Sequence, residues 1–504
     1  MFYTKRLKNI PLLVVGLVLL SIGVSVSAKE RNDTLRYQID AGGGLGKGDY
    51  TPLWLTANRQ GFASVNKNYA FFRTAAFYKS DASKRFHVEA GLDMAVAHNF
   101  DASYYLQQAY VDLNYRCLQM SIGSKERWSE LNNPLLSSGG LTHSGNARPI
   151  PQVRIGIPDY QPFPGTNAWL KIKGFAAYGL FTDDAFQKDF IGGKGRRSEN
   201  VLYHAKEMYL QIGKKEKFPL LLDLGLEMAA QFGGQTYENE KLRTDLHLSL
   251  KDFAKIFVAS AGGSEQPKGE QTNVLGNHLG SWNFGLTWYA PNEWIVRPYY
   301  EHFFEDHSQM FWDHQQHFWD YTWKDGLIGL EVKFPKNPFV SSFVYEYLGM
   351  KDQSGAVYWD IMPEIPLSVA GTDNYYNHYI YTAWNHAGMG IGNPLIISPR
   401  FNADKSLKFT GNRTLSHHIG LMGDPHPQWQ YRILLSTSRS WGTYSVPYEE
   451  IEYYTNGMVE VGYKPQLLGG DWTLKAAIAF DKSDRYGDNV GGFFSITKKG
   501  LLIK

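Results

Sequence analysis

The 504 residues contain one cysteine, Cys117. A disulfide framework is thereby excluded, and the fold must hold by burial and hydrogen bonding. Beyond the N-terminal segment, no stretch approaches the ~18 consecutive apolar residues that a transmembrane helix needs. Neither sign of charge is in excess: 51 Lys and Arg stand against 49 Asp and Glu, for a net charge of +2. That balance argues against a dedicated nucleic-acid binder. No glycine loop of the kind that cradles phosphate ahead of a helix is present, and no nucleotide motif. Domain linkers, internal repeats and low-complexity tracts are also missing.

Aromatic residues and glycine are abundant instead. Aromatics make up 15% of the chain beside 50 glycines, yet the mean hydropathy is negative. A soluble chain of this size usually carries less Tyr and Trp and more Leu and Ala. Outer-membrane barrels have this composition, because they wear aromatic girdles and alternate apolar with polar residues. The N-terminus sets the compartment. Lys5, Arg6 and Lys8 precede an apolar stretch from Ile10 to Val26, and Val26-Ser27-Ala28 offers a small-x-small cleavage site. This layout predicts a secretory signal peptide over 1–28 and a single mature domain over 29–504. Cys117 lies far from the cleavage site, so no lipidated cysteine starts that domain.

Period-two patterning runs through the mature part. Val88, Ala90, Leu92, Met94 and Val96 alternate with Glu89, Gly91, Asp93 and Ala95. Leu222, Leu224, Leu226 and Met228 alternate with Asp223, Gly225 and Glu227, and Trp472, Leu474, Ala476 and Ile478 with Thr473 and Lys475. Ala109, Val111, Leu113 and Tyr115 alternate with Tyr110, Asp112 and Asn114 in the same way. One greasy and one wet face result, and the charges on the second suit a water-filled lumen. Further strand-like stretches include 37–45, 69–79, 117–124, 168–181, 253–261, 281–289, 415–422, 429–438 and 490–497. A closed ring leaves no unpaired edge in lipid, and the length suggests roughly 16 to 20 strands. Two segments, 132–166 and 352–412, are too rich in Pro, Gly and Asn to be strands. They are expected to be long loops or an inward-folded plug.

Three constellations carry candidate chemistry. In 136–151, His143 and Ser144 are adjacent, so on a strand they would face opposite ways, which disfavours a nucleophile–base pair. Arg148, followed by Pro149, is the better candidate there, as a fixed lumenal cation. In 299–323, His302, His307, His314 and His317 mix with Asp306, Asp313 and Asp320, but their spacing matches no closed metal site. The same segment holds Trp312, Trp319, Tyr321 and Trp323. Aromatic faces beside carboxylates suit sugar rings, and an interfacial aromatic belt is the equal alternative. In 373–386, Tyr375, Tyr376, Asn377, Tyr379, Trp384 and Asn385 crowd together without a titratable pair, which suggests recognition rather than catalysis.

These segments resemble the Wzi family of capsule-assembly outer-membrane proteins, in its Bacteroides-type form. The resemblance rests on Ser144-Gly145-Asn146-Ala147-Arg148-Pro149-Ile150-Pro151-Gln152, Asp373-Asn374-Tyr375-Tyr376-Asn377 and Ala383-Trp384-Asn385-His386, running into Gly390-Ile391-Gly392-Asn393-Pro394. Asn412-Arg413, His417-His418-Ile419-Gly420, Tyr431-Arg432 and Trp441-Gly442-Thr443-Tyr444 follow in order. It implies an all-β barrel of about 18 antiparallel strands, its lumen closed by loops or short helices, in the cell outer membrane. It also implies a non-enzymatic surface lectin that binds or organises capsular or exopolysaccharide, with no cofactor and no metal. The sugar-binding residues expected are Trp312, Asp313, Trp319, Tyr321, Trp323, Tyr375, Tyr376, Asn377, Tyr379, Trp384 and Asn385. Asn146, Arg148, Arg413 and His417 are expected to be structural in the lumen or plug. Beyond the polysaccharide, the partners expected of this monomer are outer-membrane lipid and the barrel-insertion machinery. A diffusion channel for oligosaccharides or ions is the alternative, motivated by the charged strand faces. The chain departs from barrel habit at its end, Lys498-Lys499-Gly500-Leu501-Leu502-Ile503-Lys504, so the last strand is expected to end near Gly492 to Ile496 with a short tail beyond.

Overall fold

The computed structural model describes residues 33–503 except 264–265, 268–269, 272–273, 307–309, 311–323, 354–372 and 469–470. The segment expected to be a signal peptide, 1–28, lies outside the described residues. The first seven strands are β1 (Thr34–Lys47), β2 (Tyr69–Lys79), β3 (Phe86–His98), β4 (Tyr104–Tyr115), β5 (Leu118–Ser124), β6 (Gln152–Pro162) and β7 (Leu170–Leu180). After a short β8 (Arg196–Glu199) come β9 (Leu202–Ile212) and β10 (Leu220–Phe232), then a rim hairpin of β11 (Gly234–Glu238) and β12 (Lys241–Leu246). The wall continues with β13 (Asn277–Tyr289), β14 (Ile295–Glu305), β15 (Gly326–Lys333) and β16 (Ser342–Gly349). A two-residue pair, β17 (Asn385–His386) and β18 (Met389–Gly390), precedes β19 (Thr414–His426), β20 (Trp429–Gly442), β21 (Pro447–Tyr463), β22 (Trp472–Ser483) and β23 (Asn489–Ile503). The short helices in loops include α1 (Leu53–Thr56), α2 (Asp184–Ile191) and α3 (Leu250–Val258).

Eighteen of these strands form one sheet. Each pairs antiparallel with its chain neighbour, and β23 returns to pair with β1 along Leu35↔Ile503 to Lys47↔Val490. The ring is closed, so no sheet edge faces lipid. The last strand does not stop near Ile496. Lys498 to Ile503 continue its ladder against β1, because closing the ring requires a partner for the whole length of that strand. Two further expectations are revised. Residues 253–261 are largely helix α3, capped by a reciprocal pair of hydrogen bonds between Ser249 and Asp252. The loop expected over 132–166 spans 125–151 instead. Its second half is β6, and the prolines within it, Pro158 and Pro162, coincide with a break in register between Ile157 and Gln161.

The connections at the rim carrying both chain ends are all short: 80–85, 116–117, 163–169, 213–219, 290–294, 334–341, 427–428 and 464–471. The long ones, including 48–68, 125–151, 181–201, 233–276 and 350–413, are at the other rim. Short turns belong to the periplasmic side and long loops to the cell exterior, which orients the barrel. An aromatic girdle marks the short-turn rim: Phe86, Tyr115, Trp169, Phe218, Trp294 and Trp429 are all exposed there. Between the rims the outward faces are apolar, with Val111, Ile122, Ile155, Leu286, Ile328, Leu435 and Ile478 exposed to lipid. Among the described residues no helix is long and apolar enough to cross a membrane; the strands do so.

The packed core lies inside the barrel. Loops 48–68, 125–151 and 373–413 supply Trp54, Leu136, Leu141, Tyr375, Tyr376 and Trp384, all buried against inward residues of the wall such as Leu279, Phe303, Leu327 and Val344. On the opposite, lipid-facing side, Ile478→Arg, at the middle of β22, is expected to cost about 2–4 kcal/mol. Urea unfolding in lipid vesicles measures this, and a loss below about 0.5 kcal/mol, the range of ordinary surface substitutions, would contradict the lipid-facing assignment.

Candidate functional site

Inward-facing carboxylates of the wall receive the plug. Glu346 on β16 accepts hydrogen bonds from Ser138 N (2.7 Å), Ser138 Oγ (2.6 Å) and Ser137 Oγ, and from the Tyr299 hydroxyl. Glu301 on β14 accepts from Leu141 N (2.8 Å) and Thr142 N (3.3 Å). Asp481 on β22 takes Leu53 N at the start of α1 (3.1 Å), Glu331 takes Asn133 Nδ2 (2.8 Å), and Glu305 takes Tyr376 N. Buried backbone N–H groups of an irregular loop must find acceptors, and here the wall provides ionisable ones. The lumen is therefore not the water-filled space that alternation alone suggests. Asp93, Asp112, Asp223 and Glu227 are buried as well, bonded to Arg73, Lys125, Tyr160 and Tyr209 respectively.

The three inward loops also hold one another. Trp384 Nε1 donates to Thr142 O (3.0 Å), the Tyr376 hydroxyl to Leu141 O (2.6 Å), and Asn146 Nδ2 to Gly390 O (2.9 Å). Asn58 Nδ2 donates to Ser138 O (2.9 Å), which ties in the first loop. The β17–β18 turn needs Ala387 and Gly388 at positive φ, and it presents His386 Nδ1 to Arg148 O (3.0 Å). Close approach is possible at Gly420 of β19, where an added Cβ would sit 2.3 Å from Leu136 O.

These contacts redistribute the residues expected from the sequence. Tyr375, Tyr376, Trp384 and Asn385 come together, but inside the plug and fully buried. Their rings pack against Phe303, Phe409 and Tyr203 and offer no face to an external sugar. They are built into the plug, and this corrects the expectation that they bind polysaccharide. Asn377 is half-buried beside the cleft described below, bonded to Phe409 N and O (2.9 and 2.8 Å). Tyr379 is exposed, with its hydroxyl donating to Glu270 (3.0 Å). Trp312, Asp313, Trp319, Tyr321 and Trp323 lie outside the described residues, as do His307, His314, His317 and Asp320.

Asn146 is buried in the plug. Arg148 stacks on Tyr105 (4.9 Å) and donates to Leu106 O, while Arg413 covers Tyr444 (3.9 Å) and bonds Lys351 O. His417 is corrected. It faces outward, with Nδ1 2.9 Å from the Tyr345 hydroxyl, and His418 is the inward residue, donating from Nε2 to Leu136 O (2.8 Å). One step along a strand reverses the face. Ser144 Oγ is committed to Gly392 O (2.7 Å) and Ile391 O (3.1 Å), so it is not poised as a nucleophile with His143. Among the described residues no three His, Cys, Asp or Glu converge on a metal-sized site.

Above the plug, on the long-loop side, a cleft of about 750 Å³ opens. Asn374, Asn377, His378 and Lys408 of the plug loop line one side, and Lys194, Arg196, Tyr448 and Arg485 of the rim line the other. Arg196 is held by Glu238 (3.1 Å) and by Tyr379 O (2.7 Å). Arg485 is held by Glu452 (2.7 Å) and stacks on Tyr448 (4.3 Å). The ammonium groups of Lys194 and Lys408 make no ion pair with another described residue and are exposed. Sequence reasoning reached Asn377 but missed this set, because its members lie far apart in the chain and each looks like an ordinary surface residue.

Two half-buried histidines of the inward loops give the plug a pH dependence. Burial, reinforced by Arg154 and Arg127, holds His143 down at about 4, and burial beside Arg196 holds His378 at about 3, both from an ordinary 6.5. Each is neutral when folded, whereas the unfolded chain takes up a proton below pH 6.5. Stability is thus fully present above that pH and falls as the pH drops toward 4, by up to about 1.4 kcal/mol per pH unit for each group.

The architecture is that of an outer-membrane β-barrel with its lumen filled by its own loops. The chain matches the capsule assembly protein Wzi family over residues 55–327 and belongs to that family. No curated protein matches it by sequence. Among solved structures it is similar to Escherichia coli Wzi, described as an outer-membrane protein involved in group 1 capsule assembly and a carbohydrate-binding β-barrel. The TM-score is 0.55 at 10% identity, covering 92% of this chain and 83% of that one. A BenF-like porin from Pseudomonas fluorescens gives a TM-score of 0.48 at 10% identity, over 94% and 99%. Pseudomonas aeruginosa OccK5 gives 0.48 at 8%, over 94% and 98%.

Replacing Glu346 by Ala leaves Ser137, Ser138 and Tyr299 without their shared acceptor. It is expected to destabilise the folded barrel by about 3 kcal/mol and to admit ion leakage beside the plug. Thermal unfolding in detergent and planar-bilayer recording check both effects.

Proposed function

We propose that the protein is a non-enzymatic lectin of the outer membrane that binds or organises capsular or exopolysaccharide at the cell surface. The observation that carries this reading is the outward cleft above a filled lumen. Its amides, hydroxyls, paired and unpaired cations and the Tyr448 ring are the groups that sugar hydroxyls, acidic substituents and C–H faces engage. Membership of the capsule-assembly family supports it, as does the description of Escherichia coli Wzi as carbohydrate-binding. The commitment of Ser144 to backbone carbonyls speaks for binding without chemistry. Asn377 is the residue retained from the sugar-binding set; Tyr379, beside Arg196, flanks the cleft.

In this reading residues 1–28 are a cleaved signal peptide, and the rest is one barrel domain. It works as a monomer that meets lipid, the insertion machinery and the polymer. Cells lacking the protein are expected to shed polymer that normal cells retain, and restoring Lys408→Glu should restore retention only in part. Normal retention on the deletion strain would sink the assignment. Purified protein is also expected to be nearly silent in planar bilayers; large, stable ohmic openings would favour a channel instead.

A further inference from the structure

A second cavity, of about 350 Å³, lies on the opposite side of the plug from the outward cleft. It runs between loop 48–68 and the wall made by β20, β22, β23, β1 and β2. Lys464, Lys499 and Gln430 are exposed at its entrance on the short-turn rim, so it opens to the periplasm. Its far end closes under the outer loops, where Phe62 meets Phe71, Phe100 and Tyr105 at centroid distances of 5.2 to 5.6 Å. It is a vestibule that opens at the short-turn rim.

Its lining is strongly one-signed. Arg59, Arg73, Lys464, Lys475 and Lys499 face it, against the single carboxylate Asp40. Arg73 is neutralised by Asp93 of β3 (2.5 Å) and by Glu126 of the inward loop 125–151 (2.9 Å). Glu460 must serve both Arg59 and Arg432 (3.1 Å each). The ammonium groups of Lys464, Lys475 and Lys499 form no ion pair with another described residue. Two of these cations stand at the mouth and Lys475 lies deeper, within reach of the field of Glu460; together with Arg59 they leave the recess net positive, which attracts a mobile anion. The remaining lining is of a second kind: Phe71 and Phe493 lie nearly parallel (6.5 Å), and Gln38, Thr473, Ser495 and Thr497 add amides and hydroxyls. Flat apolar faces, hydrogen-bonding groups and cations together fit an anionic saccharide better than a bare inorganic ion.

We propose that this vestibule is a binding site, reached from the periplasm, for a saccharide segment bearing carboxylate or phosphate groups. It is separate from the outward cleft and does not depend on it. The cavity is of a size usual for small-ligand sites, so it takes a chain end or a short segment rather than a passing polymer.

The test is titration calorimetry on the full-length protein in detergent, with oligogalacturonate, a neutral galactose oligomer of equal length, and oligoglutamate as probes. Lys475→Glu combined with Lys499→Glu is expected to weaken oligogalacturonate binding at this site by at least about tenfold. Wild-type binding should weaken with added salt, and the neutral oligomer should bind far more weakly. Lys408→Glu, in the outward cleft, should leave this binding step unchanged. Neither lysine holds the plug, and the Lys475→Gln, Lys499→Gln pair, expected to lose several-fold, replaces the charge reversal if that variant does not fold. Unchanged affinity in the folded lysine variants overturns the proposal. Oligoglutamate binding as tightly, and lost in the same variants, overturns the saccharide assignment in favour of an acidic protein segment.

Discussion

Everything inside the barrel depends on carboxylates of the wall accepting hydrogen bonds from the backbone of inward-folded loops. An irregular segment has no ladder of its own, so each buried N–H would otherwise be orphaned at a cost of about 1–3 kcal/mol. Glu301 and Glu305 on β14, Glu346 on β16 and Asp481 across the barrel on β22 meet that need from the wall. The loops can then bring in Trp54, Tyr376 and Trp384, which fill the lumen with apolar volume. The order of causes therefore runs from polar anchoring to dry packing, the reverse of a soluble core, where burial comes first and polar groups are fitted afterwards.

That dependence has a functional corollary. Because the plug is anchored to the wall, its outer surface is a fixed floor rather than a mobile lid, and the cleft built on it has a defined shape. Arg196 and Arg485 are held by Glu238 and Glu452, so the rim side is equally set. Preorganised polar groups lose little freedom on binding, which suits recognition of a repeating polymer whose single unit offers few contacts. The filled lumen and the open cleft are two results of the same anchoring.

The wall was largely legible in the sequence. Alternation over Val88 to Val96 and Leu222 to Met228 located β3 and β10, because a strand in lipid must present one apolar face. Residues 253–261 misled, since Phe253, Ile256 and Phe257 satisfy short windows of either period and Ser249 as a cap was overlooked. Pro158 and Pro162 hid β6. His417 and His418 show the finer limit: patterning identifies a strand readily but confuses its faces when neighbours are chemically alike. The plug interior was beyond reach. Tyr375 and Trp384 look like a sugar platform in sequence, and only the partners brought by chain segments more than two hundred residues away, such as Thr142 for Trp384, show that they are packing. The outward cleft was missed for the same reason.

The plug is not a domain. Its parts are three loops, 48–68, 125–151 and 373–413, and each enters and leaves the lumen between wall strands. A plug made of one terminal segment could be threaded in after the wall was complete, or drawn out under load. This one is tethered at both ends of each loop: the strands on either side hold it at the long-loop rim, so it offers no free end to pull. The seam between β1 and β23 closes the ring that these tethers share. Emptying the lumen means breaking three separate sets of anchors, and pulling on either terminus reaches none of them directly.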